Sequence, residues 1–379
     1  MLGSGRVPHI AHLTTAHARD DIRIFRKQCC TLANAGYKVT LVVADGKGNA
    51  EIDGVSIHDV GKSASRLRRR VGATRRVYQA AKKLDAELFH FHDPELLPIG
   101  LLLKKLGRKV IFDAHEDVTK QIMGRPWLSK YTRIILSKTY STLEAQASPR
   151  FDHVICVTPS IAETFAKYGT QATIVANYPI LNELTVADDE LGNKSNSVCF
   201  VGGLTQVRGI REIVLAAAQT KNKVRLQVGG AFALAQDEAE IRALPEAHHT
   251  DFLGQINRQE VAQLMAKTFA GLVTFLPSPN HIDALPNKLF EYMSAGLPVI
   301  ASDFPLWRDI INQADCGICV NPNDIQAIAD AIDMLAANPE RAKEMGRNGQ
   351  LAVQQQYNWD KAAENLLGIY ERLIGPPTP

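Results

Sequence analysis

The sequence predicts an α/β protein built from two doubly wound domains in succession. Its 379 residues exceed what one ordinary core organises. Short apolar runs alternate with helical patterns, which is typical of βαβ units and parallel sheets. A polar segment at 179–197, containing Gly and Asn, separates a first series of such units from a second. We therefore predict an N-terminal domain at 1–178, a linker at 179–197, a second domain at 198–356, and a C-terminal helix at 357–379 that packs back towards the N-terminal domain.

The first domain shows strand and helix patterns in the order that a parallel sheet requires. The apolar run "VPHIAHL" comes first, and a helical pattern from about Ile24 to Ala35 stops at Gly36. Further strands are predicted at "YKVTLVVAD", "VSIHDV", "AELFHFHD", "RKVIFDAHE" and "DHVICVTP".

The second domain repeats this alternation. Its predicted strands are "SVCFVGGL", "VRLQVGG", "AGLVTFLP", "LPVIASD" and "GICVNP", with helical patterns between them. A last helical pattern, "WDKAAENLLGIYERLIG", ends at Gly375 before two prolines. Ligands of open parallel sheets bind beyond the carboxyl ends of the strands, so the residues that follow each strand are the candidates for a site.

Composition restricts the class of protein. Hydrophobic residues make up 45% of the chain and charged residues 22%, which are values of a soluble globular protein. The net charge of +3 does not indicate a nucleic-acid partner. The first residues lack the build of a signal peptide, and no apolar run approaches the roughly 18 residues of a membrane span. The six cysteines are scattered, so we expect reduced thiols and a cytoplasmic location.

A basic segment at 62–83 leaves two interpretations open. It contains Lys62, Arg66, Arg68, Arg69, Arg70, Arg75 and Arg76 with few acids among them. The segment is either a solvated helix face or a peripheral contact with an anionic inner-membrane surface or a lipid-diphosphate acceptor.

Glycines follow several predicted strands of the second domain. Gly202 and Gly203 come directly after "VCFV", where paired glycines let a backbone approach a phosphate, and Arg208 lies five residues on to neutralise the charge. Two more glycine turns follow predicted strands, one at Gly230 and one in "FLGQI", which contains Gln255 and Ile256. The base of a nucleotide could lie against the backbone at these turns. A plain strand-to-helix turn is the alternative at each position.

The helix in "DALPNKLFEYMSAGLPVIASD" combines more signals. Pro286 precedes it and Gly296 ends it. The N–H groups of Asn287, Lys288 and Leu289 and the Lys288 ammonium would meet a diphosphate. Glu291 lies one turn inside the helix, where it could accept hydrogen bonds from ribose hydroxyls. Asp283 lies before the helix and could reach the hydroxyls of a group beyond the diphosphate. The alternative is a capped surface helix with a solvated Glu291.

These motifs resemble the retaining glycosyltransferases of family 4, whose GT-B fold has two Rossmann-like doubly wound domains facing across a cleft. "DALPNKLFEYMSAGLPVIASD" matches their two acids, separated by seven residues, and the helix and strand that follow, "VGGLTQVRG" matches their phosphate loop, and "CGICVNPND" the segment after it. The chain departs from the pattern in two ways. Asp283 stands where Glu is usual, and Gly203 stands where Arg is usual, which leaves Arg208 and Lys288 as the cations.

The resemblance assigns roles to these residues. It implies that Glu291 binds the donor ribose, that Asp283 binds the transferred sugar, and that His115 at a strand end of the first domain contacts that sugar near the reacting carbon. His115, Asp283, Arg208 and Lys288 are thus the candidate catalytic residues. It also implies a front-face reaction in which the leaving phosphate helps to deprotonate the acceptor, with no metal required.

The first domain is expected to hold the acceptor. Its candidate contacts lie at strand ends and at the start of the first helix, and they are His17, Arg19, Asp20, Arg23, His92 and Glu116. His90 and His92 alternate along one strand and could bind a metal, but no third ligand is evident in the sequence. The acids at Asp20 and Asp21 also fit a helix N-cap.

We therefore expect transfer of a sugar from a nucleoside diphosphate sugar, UDP before GDP, to a glycan or lipid-linked acceptor in cell-surface polysaccharide or glycolipid assembly. The alternatives are a sugar-nucleotide epimerase of the same fold and a non-catalytic nucleotide-sugar-binding subunit. A glycogen-synthase-like polymerase is disfavoured because the chain is compact.

Overall fold

The computed structural model describes residues 6–62, 69–125, 127–184 and 195–377. These residues form two compact units, one of residues 1–177 with 359–379 and one of residues 178–358. The last helix is thus part of the first unit. Within the expected linker, residues 185–194 lie outside the described ranges, whereas Leu184 packs in the core of the second unit and Ser197 begins a strand.

The first unit contains an eight-stranded sheet in the order β3-β4-β2-β1-β5-β6-β7-β8. All neighbours are parallel except β3 and β4, which are antiparallel. The strands are β1 His9–Leu13, β2 Lys38–Val43, β3 Ala50–Ile52, β4 Val55–Asp59, β5 Leu88–Phe91, β6 Lys109–Ala114, β7 His153–Cys156 and β8 Ala172–Ile174. The short β3 and β8 are not predicted from the sequence, because neither has a buried residue to mark it as an apolar run.

Helices connect these strands as βαβ units require. A π-helix at Ile22–Cys29 is capped by the Asp21 side chain, which accepts from the Ile24 N–H, and it continues into an α-helix. The α-helices are α1 Cys30–Asn34, α2 Thr74–Lys83, α3 Leu97–Lys105, α4 Val118–Met123, α5 Lys130–Ala147, α6 Pro159–Lys167 and, from the end of the chain, α14 Trp359–Ile374. The Trp359 indole N–H donates to Thr31 Oγ1, which ties α14 to α1.

The second unit contains a six-stranded parallel sheet in the order β11-β10-β9-β12-β13-β14. Its strands are β9 Ser197–Val201, β10 Arg225–Gly229, β11 Thr250–Gly254, β12 Ala270–Val273, β13 Val299–Ser302 and β14 Gly317–Val320. Its α-helices are α7 Ile210–Gln219, α8 Ala235–Arg242, α9 Arg258–Lys267, α10 Asn287–Ser294, α11 Pro305–Ala314, α12 Ile325–Ala337 and α13 Pro339–Gln355.

Helices cover both faces of this second sheet. Successive residues of β9 enter different cores, with Cys199 in one and Phe200 in the other, because side chains alternate along a strand. Burial on both faces explains why the strands appear in the sequence as continuous apolar runs. None of the helices in the described ranges is both long and apolar enough to cross a bilayer.

Candidate functional site

Two strand ends of the second unit come unusually close to each other. Gly202, after β9, donates its N–H to Gly229 O at 2.9 Å, and Gly230, after β10, donates to Gly254 O at 2.7 Å. Gly202 and Gly230 both have φ near +151°. A Cβ on Gly230 would lie 1.8 Å from Gly202 O, so only glycine permits this approach.

A cavity of about 380 Å³ opens beside these glycines. Its volume falls within the range of small-molecule sites. It is lined by Val201, Gly202, Gly203, Gly229, Gly230, Ala231, Gln255, Ile256, Asn257, Arg258, Val261 and Lys288. Of the residues predicted for the donor, the structure thus brings together Gly202, Gly203, Gly230, Gln255, Ile256 and Lys288. A cavity of similar volume near the start of β9 contains none of the predicted site residues.

Helix α10 is fixed against the end of β9. The Val201 N–H donates to the Tyr292 hydroxyl at 2.9 Å, and Leu289 and Phe290 are buried in the core. One turn before Tyr292, Lys288 therefore lies at the cavity wall. The prediction of a free N–H at Leu289 is wrong, because that group donates to Pro286 O at 3.1 Å within the first turn and the side chain faces the core. Asn287 begins the helix and is exposed.

Glu291 is a buried carboxylate held by two cations. It pairs with Lys288, one turn earlier, and Arg258 Nη1 donates to Glu291 Oε1 at 2.9 Å. Arg258 Nη2 also donates to Glu183 Oε2 at 2.7 Å. Burial raises the pKa of Glu291, but the charges of Lys288 and Arg258 outweigh this effect and hold that pKa below its ordinary value. Glu291 is therefore an ionised hydrogen-bond acceptor at neutral pH.

Arg208 is the other cation at these strand ends. Its Nη1 donates to Gly203 O at 3.3 Å, and its guanidinium lies 5.6 Å from the centre of the Phe275 ring. Partial burial lowers its pKa. Within the described ranges no carboxylate pairs with Arg208, so its charge is available to an anionic ligand.

Asp283 lies in the turn before α10 and is half-buried. The Trp307 indole N–H donates to Ala284 O at 2.6 Å, and Ala284 N–H donates to His281 O at 3.1 Å. These bonds anchor the backbone on both sides of the Asp283 carboxyl group. The turn is therefore positioned by the core of the unit through Trp307, which is fully buried.

In the first unit, two of the predicted residues meet beyond the ends of β1 and β6, which flank β5 in the sheet. The rings of His17 and His115 lie edge to face with centroids 5.3 Å apart. His17 Nδ1 is 3.3 Å from Asp21 Oδ2, and its Nε2 is 3.4 Å from Asp93 Oδ1. Burial lowers the pKa of His17, but Asp21 and Asp93 outweigh this effect and raise it above its ordinary value. His115 Nδ1 is 3.3 Å from Asp113 O.

Three predicted acceptor contacts are instead engaged below this surface. Arg23 is buried and forms a two-bond ion pair with Asp113, at 3.0 and 2.8 Å, and it also donates to Val175 O. Arg19 is buried and makes a similar pair with Asp45, at 2.8 and 2.7 Å. His92 is fully buried between Asp113 and His12. These three side chains position their neighbours, so the prediction that they contact an acceptor is wrong.

The remaining two predicted contacts stay accessible. Asp20 is exposed just before the π-helix, whose cap is Asp21 rather than Asp20. Glu116 is exposed and accepts a hydrogen bond from the Gln121 amide. Lys62 is exposed, but residues 63–68 of the basic segment lie outside the described ranges.

A buried polar network connects β1, β5, β6 and α14. His12 Nδ1 is 2.9 Å from His92 Nε2, and the Tyr370 hydroxyl lies 2.6 Å from His90 Nδ1 and 3.2 Å from His12 Nε2. His12 is thus the third imidazole that the sequence does not reveal, and these three residues have ligand atoms within 4.8 Å of one another. Burial lowers the pKa of all three, which favours the neutral form that a metal ligand requires.

The same chain matches two family models. The model described as Glycosyltransferase Family 4 matches residues 23–178, and the model described as Glycosyl transferases group 1 matches residues 184–352. Together they cover both units. The chain belongs to glycosyltransferase family 4.

Individual relatives of this glycosyltransferase are distant in sequence. O-antigen chain mannosyltransferase C of Escherichia coli is 22% identical over 312 residues, which cover 80% of this chain and 79% of that protein. A phosphatidyl-myo-inositol mannosyltransferase of Mycobacterium leprae is 22% identical over 304 residues, covering 76% and 74%. The structure of sucrose-phosphate synthase from Thermosynechococcus elongatus has a TM-score of 0.78 at 19% identity and covers 97% of this chain and 99% of that one. The predicted GT-B fold is confirmed.

Some of the residues that hold the candidate side chains in each unit are not predicted by the sequence pattern. Arg258 follows Asn257, whose side chain caps α9, and the pattern there indicates only a helix start. Asp113 is an acid within an otherwise apolar strand, "KVIFDA", and a buried charge of this kind is a usable signal for a paired site. Tyr370 has no local signal, because its partners are far away in the sequence.

Proposed function

We propose that this glycosyltransferase moves a sugar from a nucleoside diphosphate sugar to an acceptor hydroxyl, with retention of the anomeric configuration. The observation that carries the proposal is the Arg208 guanidinium at the Gly202–Gly203 turn, which has no carboxylate partner in the described ranges. A diphosphate held by Arg208 and Lys288 would leave the nucleoside in the cavity beside Gly230 and Ile256.

Glu291 suits the ribose of such a donor. Its carboxylate is ionised, buried, and next to the Lys288 ammonium that would face the phosphates. A vicinal diol donates two hydrogen bonds, and an ionised carboxylate accepts them best. Asp283 lies before the same helix and would take hydroxyls of the transferred sugar. His115 stays a predicted catalytic residue of the first unit.

The chemistry requires stabilisation of the leaving group. The bond from the anomeric carbon to the phosphate oxygen breaks, a bond to the acceptor oxygen forms on the same face, and the acceptor proton passes to the leaving diphosphate. Arg208 and Lys288 would stabilise the negative charge that develops on that diphosphate. Because two side chains supply this charge, we expect turnover to persist in the presence of a chelator.

The acceptor is proposed from the relatives. Their names describe transfer to an O-antigen chain and to phosphatidylinositol, so a cell-surface glycan or a glycolipid precursor is the expected class of acceptor. UDP is proposed as the nucleotide before GDP.

A donor screen tests the proposal directly. Release of nucleotide from UDP-, GDP- and ADP-sugars is measured with a panel of lipid-linked and soluble glycan acceptors, and the anomeric configuration of the product is read by NMR. A glycoside of retained configuration supports the proposal. An epimerised sugar nucleotide formed without acceptor, or donor binding without any turnover, would support the epimerase or the binding-subunit alternative instead.

A further inference from the structure

Three imidazoles lie side by side in the core of the first unit. His12 of β1 and His90 of β5 are partners in the parallel register, and His92 follows two residues later on the same face of the sheet. Their ring centroids are between 4.5 and 5.2 Å apart, and all three residues are buried. We call these residues the histidine cluster. Whether hydrogen bonds alone account for it depends on which nitrogen of each ring carries the hydrogen.

Asp113 fixes the first of these hydrogen positions. Its carboxylate forms the two-bond ion pair with Arg23 and is therefore an ionised acceptor. Burial lowers the pKa of His92, and a neutral imidazole carries a single hydrogen. That hydrogen lies on Nδ1, which donates to Asp113 Oδ2 at 3.1 Å. The Nε2 atom of His92 consequently has no hydrogen and can only accept.

The remaining hydrogen positions follow from that one, because burial also lowers the pKa of His12 and His90 and favours their neutral rings. His12 Nδ1 lies 2.9 Å from His92 Nε2 and must donate to it, which leaves His12 Nε2 as an acceptor. The Tyr370 hydroxyl, 3.2 Å from His12 Nε2, gives its hydrogen to that atom. His90 Nδ1, 2.6 Å from the same hydroxyl oxygen, must then be a donor. Satisfying every one of these contacts thus leaves a bare lone pair on His90 Nε2.

No group in the described part of the chain donates to that lone pair. His90 Nε2 is buried and has no hydrogen-bond partner among the described residues. Protein interiors rarely leave such an atom unsatisfied, and the lone pair of a neutral imidazole is the commonest metal ligand that proteins use.

The spacing of the three rings fits a metal ion. Each residue of the histidine cluster offers a ring nitrogen within 4.8 Å of the other two. Zinc–nitrogen bonds of about 2.0–2.1 Å at tetrahedral angles place the nitrogens roughly 3.3 Å apart. That separation lies between the 2.9 Å contact of His12 with His92 and the 4.8 Å limit, so small shifts of the rings are enough.

We propose that the histidine cluster binds a zinc ion through His12 Nδ1, His90 Nε2 and His92 Nε2. Neutral imidazoles suit zinc, which also occurs with three protein ligands and water in the fourth position. Binding requires the His12 hydrogen to move from Nδ1 to Nε2. The Tyr370 hydroxyl oxygen then accepts from both His12 and His90, while His92 keeps its bond to Asp113. Oxygen acceptors of this kind accompany almost every metal-bound histidine.

Such an ion would join separate parts of the first unit. Strand β1 and the end of β5 supply the ligands, and the Tyr370 hydroxyl connects them to α14. Because a ligand that binds only the folded chain stabilises it, the expected effect is on stability. The site lies in the interior of one unit and requires no donor or acceptor, so it is independent of the proposed function.

The zinc content of the full chain, prepared without a histidine tag, tests this proposal. The chain is incubated with zinc sulfate, passed through a desalting column and analysed by mass spectrometry for metals. About one zinc ion per chain should be retained. Zinc at about 100 times its Kd should raise the Tm of the stripped chain by about 5–11 °C. X-ray absorption at the zinc edge should show imidazole ligands, and this measurement needs no variant.

A substitution of His90 removes the bare nitrogen selectively. His90→Asn deletes Nε2 and keeps an amide N–H near the position of Nδ1, so the bond to the Tyr370 hydroxyl can persist. Zinc affinity should fall by more than about 100-fold, since losing a ligand costs more than losing an outer hydrogen-bond partner. His9→Asn is the matched control. His9 is also a buried imidazole of β1, but its nitrogens already pair with Asp85 O and Thr40 Oγ1, so zinc affinity should stay within about twofold.

A second control addresses adventitious binding at the surface. The rings of His248 and His249 lie 4.1 Å apart on the second unit, and His248 is exposed. His248→Asn with His249→Asn should leave one bound zinc ion and its effect on Tm unchanged. Loss of zinc in this double variant but not in His90→Asn would overturn the proposal. So would a wild-type chain that retains no zinc and shows no change in Tm, or an absorption spectrum without imidazole ligands.

Discussion

Replacing Gly230 with alanine tests the geometry on which the donor cavity depends. The Cβ introduced by Gly230→Ala would lie 1.8 Å from Gly202 O, whereas real Cβ atoms stay more than about 3.0 Å from such neighbours. The ends of β9 and β10 must therefore separate by more than an ångström. Gly254→Ala is the matched control, because Gly254 also has positive φ, at 71°, but a Cβ there meets nothing within 4 Å.

The expected free energies differ for these two variants. Positive φ costs an alanine about 1–2 kcal/mol at either position. Separation of the strand ends at Gly230 also breaks the bonds from Gly230 N–H to Gly254 O and from Gly202 N–H to Gly229 O, at about 1 kcal/mol each. The total for Gly230→Ala is roughly 3–4 kcal/mol. A unit of this size loses about 2–4 °C in Tm per kcal/mol, so we expect a drop of roughly 6–16 °C for Gly230→Ala and only a few degrees for Gly254→Ala.

Thermal melts followed by far-UV circular dichroism and tryptophan fluorescence measure both variants. Trp307 is buried in the second unit and reports on its unfolding. Below the transition, Gly230→Ala should also lose UDP binding in calorimetry, because the displaced strand ends line the cavity. Equal Tm values for the two alanine variants would refute the steric reasoning, and unchanged UDP affinity in Gly230→Ala would refute the location of the nucleoside.

Three further variants test charges described above. Glu291→Gln should weaken UDP binding by about 10- to 100-fold in calorimetry, since a charged acceptor for ribose is lost, and an unchanged affinity would contradict the ribose assignment. Arg258→Met should lower Tm at pH 7. The charge of Arg258 helps to depress the pKa of Glu291 in the folded state. The drop in Tm should therefore diminish as the pH falls through that pKa and Glu291 becomes protonated. A drop in Tm that is the same at every pH would contradict this ion pair. Burial raises the pKa of Glu144, in α5, to about 7, although the Tyr140 hydroxyl donates a hydrogen bond to its carboxyl group. In the unfolded chain this pKa is about 4.5. The stability that protonated Glu144 contributes to the folded state is therefore present below pH 4.5 and is lost as the pH rises through 7. Glu144→Gln should therefore raise Tm at pH 8 and leave it unchanged at pH 4.5, and equal effects at both values would contradict the shifted pKa.

The candidate residues at the strand ends of the second unit could be predicted from the sequence, because neighbouring residues in the chain are enough to identify them. Gly202 and Gly230 each follow an apolar run directly, and Lys288 and Glu291 are one helical turn apart, so their spacing alone places them on one side of α10. Leu289 is the exception, since a 3₁₀-type bond to Pro286 O uses the N–H that the pattern leaves open.

The roles of residues whose partners are distant in the sequence could not be predicted from such local patterns. Arg258 and Glu291 are 33 positions apart, and Arg23 and Asp113 are 90 positions apart. An arginine near a strand end has the same local pattern whether it meets a ligand or a buried carboxylate. The difference between Arg208 and Arg23 is therefore a property of the tertiary structure alone.

The placement of α14 has a consequence for synthesis of the chain on the ribosome. Residues 178–358 are made as one continuous stretch, so the second unit has all of its strands and helices as soon as that stretch has emerged. The first unit is begun earlier but lacks Trp359 and Tyr370 until the end, and until then Thr31 and the imidazoles of His12 and His90 have no partner from α14. Of these two units, the one whose synthesis starts first is thus completed second.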